Sequence, residues 1–486
     1  MAFKEEEDFA RFLTMGAYAT AAVSDDLERR GHEIIELERY AKANKIWMTK
    51  VKRLRLADLL CIRCGRRFES KGKTKLEFKL SHSGRTPGRE WWAGMRQEDV
   101  FAFVRVRVTE HGPDVGQVAY VTRQALHDAE PSLREGMRKA IADGAESDVS
   151  WPTTVPTQGG EVLDVDASNK TVVVLKDSGR RQTYKGTHWA AFYPLRGVGE
   201  HFEAGDVLAT CVEPAEVTCA GDVWDWRADL VASDQDLSFP SVKAARFLGP
   251  EQVADELRAI QAHTANDWRL RLEAAASLAP VDERATVYLL DRAMDSSAKE
   301  GEQMEAVFTL SELDTVAAVR ALEAIVSATG KVQSEVRAAA AWGLGLGARP
   351  SLDPLLPLVS DDDNVVALHA AAAMPDVLPS SIVDALLAAV TDGSVREATS
   401  AAHLLARHGH ARTLLGVLNQ MSVEVYLISL LAIGDTDPAE VNRMLHLVDS
   451  TTGATLRALS ARHRDWMRQP DTDGGLDVLT RQRVRL

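Results

Sequence analysis

The spacing of apolar and polar positions changes character twice along this 486-residue chain. The opening stretch EEDFARFLTMGAYATAAVSDDLERRG places Phe9, Phe12, Leu13, Ala17 and Ala21 at helical intervals and reaches a stop signal at Gly31. Strand-like pieces follow. ADLLCIRC and RRFESKGK meet at Gly65-Arg66-Arg67, which predicts a hairpin turn. KLEFKLS alternates Leu76, Phe78 and Leu80 with polar residues, as a half-buried strand does. QEDVFAFVRVRVTE reads as a short entry and then a strand. Residues 1–131 are therefore expected to form an α/β domain.

The texture then turns to β. GGEVLDVDASNKTVVVLKDSGRRQTYK predicts two strands around Ala-Ser-Asn-Lys and a turn at Asp177-Ser178-Gly179. The hairpin that follows carries Gly199, Glu200, Phe202, Gly205, Asp206, Val207, Leu208 and Ala209. This pattern resembles the barrel-sandwich hybrid module of the bacterial RNA polymerase β subunit. The resemblance implies a small all-β module, placed with its linker at 132–240. Related biotinyl and lipoyl domains need a modifiable Lys at a hairpin tip. GEHFEAGDVLA has none, so no swinging-arm cofactor is expected.

From 250 to 447, Ala-rich helical segments recur about every 30 residues, each followed by a second amphipathic helix. Examples are LRLEAAASLA, VRAAAAWGLG and VREATSAAHLLA. Such a period predicts an all-α solenoid in which small residues let neighbouring helices approach closely. The pattern resembles short HEAT repeats. The acidic turns SDDDN and GDTDP between repeats read as helix caps. Residues 448–486 are expected as a C-terminal tail.

Charge adds a function class. The chain carries a net −14, yet 15 Lys and Arg stand against four acids between Lys45 and Arg96. That segment is net +11 and leaves −25 for the rest. A basic segment in an acidic protein is the footprint of a polyanion site, although a solvated face gives the same count. Lys45, Lys50, Lys52, Arg53, Arg55 and Lys73 are the candidates for gripping phosphates. Trp47 among them either stacks on a base or packs in a core. Trp91 and Trp92 read as packing residues. Four cysteines are too few for a disulfide framework and fit a reducing cytoplasm. The amino terminus lacks the apolar run of a signal peptide, and VYLISLLAIG is too short to span a bilayer, so no membrane partner is expected.

The candidate chemistry lies inside the basic segment. Asp58 begins one predicted strand; Glu69 and Lys71 lie two apart on the next and so share a face. Two carboxylates on adjacent strands can hold one hard cation, and a neighbouring Lys can activate water or stabilise charge developing at phosphorus. A second ExK, Glu77-Phe78-Lys79, competes but reads as an ordinary amphipathic strand. The LAD and FESK elements resemble the PD-(D/E)xK nuclease superfamily, with Ala57 where that family often has Pro. The resemblance implies a restriction-endonuclease-like fold, a mixed sheet flanked by helices. It further implies a Mg²⁺- or Mn²⁺-dependent endonuclease with Asp58 and Glu69 as metal ligands, and an upstream acid. Glu36 is the choice for that acid, with Glu38 as the alternative. The run from IIELERY to FESKGK, with the later EWWAGMRQEDVFAF, also looks like a family of bacterial multidomain proteins that end in HEAT repeats.

Cys61 and Cys64 form the rival motif. A structural zinc usually needs a second ligand pair. Cys211 and Cys219, separated by seven residues, fall outside the expected α/β domain, and His82 is the nearby downstream His. A redox pair would expect a helix after the first Cys. Packed free thiols are therefore expected, ahead of zinc or redox chemistry. The sequence thus predicts a nuclease on nucleic acid, more plainly DNA than RNA, with a solenoid that binds a protein partner or regulates access. The alternative is a non-catalytic HEAT-repeat scaffold whose nuclease-like domain only binds nucleic acid or protein. A bilin-lyase or chaperone role, known for some HEAT-like repeats, has no support in the amino-terminal half.

Overall fold

The computed structural model describes residues 6–39, 47–49, 51, 54, 56–83, 86, 88–109, 112–129, 138–139, 147–346, 352–434, 436 and 438–466. The chain divides into two compact units. One runs from Asp8 to Ser277 without the short segment Trp47–Val51; the other runs from Leu278 onward and takes in that segment.

The first unit is built on a five-stranded mixed sheet. The amphipathic helix α1 (Glu6–Arg29) leads into β1 (Ile34–Glu36), then β2 (Leu59–Cys61) and β3 (Arg67–Lys73), an antiparallel meander. β4 (Phe78–His82) leaves for another sheet. The chain returns as β5 (Val100–Thr109), parallel to β3, and β6 (Gly112–Thr122), giving the order β1-β2-β3-β5-β6. The short helix α2 (Arg123–Asp128) starts directly after β6, capped by the Thr122 hydroxyl.

Strand alternation gives each face its own core. On one face Leu59, Cys61, Phe68, Val100, Ala102 and Val104 pack against Met15, Ala19, Val23 and Leu27 of α1. Gly72 lets α1 come close, because a Cβ there would lie 3.0 Å from the Met15 carbonyl. On the other face Phe101, Phe103, Ala119 and Val121 pack with Phe78, Trp91, Met95 and Trp151. Trp91 and Trp151 meet edge to face at 5.1 Å, so Trp91 is a packing residue as expected.

The β region continues this unit rather than starting a separate body. β4 pairs with β8 (Ser147–Trp151), and β7 (Arg138–Lys139) pairs with β8, so a ladder crosses the boundary expected at residue 131. β9 (Thr153–Thr154) comes next. β10 (Gly160–Asp166), β11 (Thr171–Lys176) and β12 (Arg181–Lys185) form a meander. After β13 (Tyr193–Pro194), β14 (His201–Phe202) joins the edge of β10, and β15 (Ala209–Thr210) pairs with both β13 and β9. The two small sheets share a core of Val162, Val172, Val174, Phe202, Leu208 and Ala209. They form no closed barrel among the described residues. The Asp206 of the Gly205-Asp206 turn accepts from buried Arg105 at 2.8 Å, which ties the turn to β5.

The second unit is all helical. Helices Glu300–Glu312, Ser334–Leu344 and Asn364–Ala372 pack in succession, as do Val395–Arg407, Val423–Gly434 and Ser450–Trp466. Helices Glu283–Met294, Val316–Ser327 and Ser380–Asp392 pair with members of these rows. Small residues sit at the tightest crossings. A Cβ on Gly343 would fall 2.0 Å from the Ser311 hydroxyl, and one on Gly434 would fall 2.6 Å from the Leu459 Cβ. In SDDDN, Asp363 caps Asn364–Ala372 while Asp361 pairs with Arg337 at 2.7 Å. Asp435 and Asp437 of GDTDP lie outside the described residues. The expected tail begins as the helix Ser450–Trp466, with Leu456 fully buried; its residues 467–486 lie outside the described residues.

Trp47 belongs to this helical unit. It is 2% exposed, stacks on His369 at 4.4 Å, and meets Phe308 at 5.9 Å and Trp342 at 6.1 Å. The backbone N–H of Thr49 donates to Glu335 at 3.0 Å. Of its two sequence readings, stacking on a base therefore gives way to a core role. Trp47→Ala is expected to cost about 3–5 kcal/mol by emptying this aromatic cage. Urea unfolding followed by circular dichroism measures the loss, and an unchanged midpoint would show that the segment does not hold the helices together.

Candidate active site

The β2–β3 hairpin positions the acids. Leu59 lies opposite Phe68 and Leu60 opposite Arg67, so one step further Asp58 falls opposite Glu69. Leu59 and Phe68 belong to the α1-facing core, and alternation therefore turns Asp58, Glu69, Lys71 and Lys73 to the other face. The Asp58 carboxylate accepts from the Ser70 backbone N–H at 2.9 Å, and the Asp58 N–H donates to Glu69 Oε2 at 3.2 Å. Lys71 Nζ donates to Glu69 Oε1. Asp58 is 9% exposed, while the Glu69 and Lys71 side chains are 18% and 34% exposed, so the cluster opens to solvent at its lysine end.

Burial alone would pull the Lys71 ammonium down, but the carboxylates of Glu69, Asp58 and Glu38 outweigh it and hold it above its ordinary value. Lys71 is thus firmly charged at neutral pH. The two acids considered for an upstream role, Glu36 and Glu38, are placed differently. Glu36 is two residues beyond Ile34, which faces α1, so it shares that face and lies opposite to Glu69. It is Glu38, just past β1, whose charge reaches Lys71. Neither is on a helix. The adjoining Arg39 anchors this turn through a buried ion pair with Glu273 at 2.7 Å.

Of the residues proposed to grip phosphate, Lys45, Lys50, Lys52, Arg53 and Arg55 lie outside the described residues. Lys73 turns inward: its ammonium donates to the Lys79 carbonyl at 2.7 Å. Lys79 of the competing ExK pairs with Asp148 at 2.9 Å, and Glu77 is exposed. Arg67 shares the face of Glu69 but is committed to buried Asp99, with Nε 2.9 Å from Oδ2.

The turn of the same hairpin holds a second cluster. Ile62 to Arg66 connect β2 to β3. The Cys61 N–H donates to the Arg66 carbonyl at 2.9 Å, and the Gly65 N–H donates back to the Cys61 carbonyl at 2.9 Å. Gly65 takes φ +71°, where a Cβ would also strike the Trp224 ring at 2.6 Å. Cys61 and Cys64 project toward His32, which directly follows the Gly31 stop of α1, and toward Cys219. The ligand atoms of all four lie within 4.8 Å of one another. A hydrogen bond from the Cys64 thiol holds the Cys61 thiol well below its ordinary range against the opposing effect of burial; the Cys64 thiol is pushed up in turn.

This overturns the expectation that the pair lacks partners. Cys219 reads in sequence as part of another domain, but residues 215–222 return to the first sheet. The Ala215 N–H donates to the Tyr120 carbonyl at 2.8 Å, the Cys219 N–H donates to the Arg30 carbonyl at 3.2 Å, and Arg63 pairs with Asp222 at 2.8 Å. His32 completes the cluster. Its signal in the sequence is slight: a His next to a helix-stop Gly, and Cys-Ala-Gly far downstream.

No family model matches this sequence, and no curated protein matches it. Among solved structures, the chain is similar to an engineered protein at 14% identity and a TM-score of 0.23, over 49% of this chain and 77% of that one. It is also similar to the YibA protein of E. coli, at 14% identity and 0.25, over 49% and 91%. A third likeness is to the CpcE–CpcF complex of phycocyanin lyase from Nostoc sp., at 18% and 0.22, over 50% and 97%. No helix among the described residues is long and apolar enough to cross a membrane.

Burial, with Lys71 and Lys79 nearby, pulls the Lys73 ammonium down to about 8. Between that value and the ordinary lysine range the folded state has lost a proton that the unfolded chain keeps, so stability rises with pH across this window. Thermal unfolding from pH 7 to 10 is expected to show this rise in the wild type relative to Lys73→Met. Parallel curves would place Lys73 in solvent.

Proposed function

We propose that the protein is a divalent-metal-dependent nuclease, with Asp58 and Glu69 holding the cation and Lys71 acting on the substrate phosphate. The observation that carries this reading is the cross-strand placement of Asp58 opposite Glu69, with Lys71 on the same face. The donor set suits Mg²⁺ or Mn²⁺, which take hard carboxylate oxygens: Asp58 and Glu69 stand opposite each other, with Glu69 partly open to solvent. The chemistry such a cation supplies is neutralisation of the phosphate and activation of a water. The chain's own groups do the rest. The Ser70 and Asp58 N–H groups fix the two carboxylates. Lys71 offers a positive charge to the phosphate oxygens as negative charge builds on them.

Nucleic acid as substrate is supported by the net charge of +11 between Lys45 and Arg96, and DNA is the substrate we propose. The all-helical unit, which resembles HEAT repeats in sequence, would bind a protein partner or regulate access, and a role in defence or nucleic-acid maintenance rests on analogy of domain combination.

The test is cleavage of plasmid, single-stranded DNA and RNA with Mg²⁺ or Mn²⁺. Asp58→Asn, Glu69→Ala and Lys71→Ala are each expected to lower the rate by about 10²-fold or more, while Lys79→Ala leaves it unchanged. Cleavage that survives all three variants would remove the site. Binding of nucleic acid with no cleavage under any metal would leave the scaffold reading instead.

A further inference from the structure

We propose that His32, Cys61, Cys64 and Cys219 bind one structural zinc ion, which fastens the segment 215–222 to the β2–β3 hairpin. The proposal is independent of the nuclease reading and concerns the opposite end of the hairpin.

The donor set is that of a closed structural zinc site, three thiolates and one imidazole. The spacing agrees with the metal's geometry. Zn–S bonds of about 2.3 Å and a Zn–N bond of about 2.05 Å at the tetrahedral angle put two sulfurs about 3.8 Å apart and a sulfur about 3.6 Å from the nitrogen. Here Cys61 Sγ and Cys219 Sγ are 3.9 Å apart, and Cys64 Sγ is 3.6 Å from His32 Nδ1. A disulfide would need about 2.05 Å, and all four cysteines are free.

The surrounding groups prepare the ligands. His32 Nε2 lies 2.8 Å from the Val217 carbonyl. A carbonyl only accepts, so Nε2 carries the proton and Nδ1 presents its lone pair to the cluster, as a metal-bound imidazole requires. Phe68 meets the ring edge-on at 5.1 Å and fixes its tilt. The Gly221 N–H points at Cys219 Sγ from 3.4 Å, a donor that suits a thiolate. The tight turn at Gly65 delivers both Cys61 and Cys64 from one short loop. Three stretches of chain far apart in sequence, near residues 32, 61–64 and 219, thus converge on one point. The segment 215–222 forms no strand or helix of its own. A metal tie gives such a segment a fixed place that its backbone alone does not provide.

Elemental analysis of protein purified from zinc-supplemented culture is expected to find about one zinc per chain. Exchange with Co²⁺ is expected to give the visible spectrum of a tetrahedral cobalt–thiolate centre. Cys219→Ser and His32→Ala should lose zinc, and His32→Cys should retain it. Cys211→Ala should keep the full complement, since Cys211 packs in the core on the other face of the sheet. If Cys219→Ser fails to fold, His32→Cys against His32→Ala carries the comparison. Zinc-free protein whose cluster thiols react freely in the folded state would overturn the proposal, as would a disulfide within the cluster or equal zinc loss in Cys211→Ala.

Discussion

The register of β2 against β3 is the constraint on which the amino-terminal unit depends. β2 is three residues long, so its pairing is set less by the ladder than by the turn that closes the hairpin. The Cys61–Arg66 turn closes it twice through the backbone, and Leu59 and Phe68 seal the register by packing under α1. A slip of one residue would send Asp58 to the α1 face and Leu59 to the acid face, exchanging every side chain between core and site. The two clusters are therefore not rivals. The cysteines occupy the turn, the acids occupy the open end, and what fixes the turn also brings Asp58 opposite Glu69.

Electrostatics at the open end follows from the same geometry. Three carboxylates, those of Glu69, Asp58 and Glu38, act on Lys71 in a setting only partly open to water, and their pull exceeds the effect of desolvation. The next lysine on that face, Lys73, is lowered by burial and by Lys71 and Lys79, which outweigh the pull of Asp148 and Glu77. One strand thus carries a lysine held charged and a lysine eased toward neutrality, two residues apart but opposite in environment. The buried pairs Arg67–Asp99 and Arg39–Glu273 fix the strand and the turn around this cluster, and removing one partner of either would strand a charge in the interior.

Much of this was legible in the sequence where periodicity and local turns decide structure. Helix α1, the β2–β3 hairpin, the alternating β4 and the Ala-rich helical rows follow from spacing alone. The convergence of Asp58, Glu69 and Lys71 follows from two strands and a turn. What stayed hidden depends on contacts between residues far apart. Cys219 is 158 residues from Cys61, and nothing local says that its loop folds back onto the first sheet. Trp47 sits amid basic residues, yet its partners Phe308, Trp342 and His369 lie more than 250 positions later. Glu38 lies past the end of β1, and the face a residue takes after a strand end is set by the turn that follows, so its reach toward Lys71 was not legible.

The most direct test of this account is a crystal grown with Mn²⁺ and zinc, with anomalous scattering recorded at the absorption edges of both metals. The account predicts a zinc peak among His32, Cys61, Cys64 and Cys219, and a separate manganese peak between Asp58 and Glu69. A manganese ion bound elsewhere, with none between the Asp58 and Glu69 carboxylates, would contradict the claim that one hairpin register builds a metal-dependent active site.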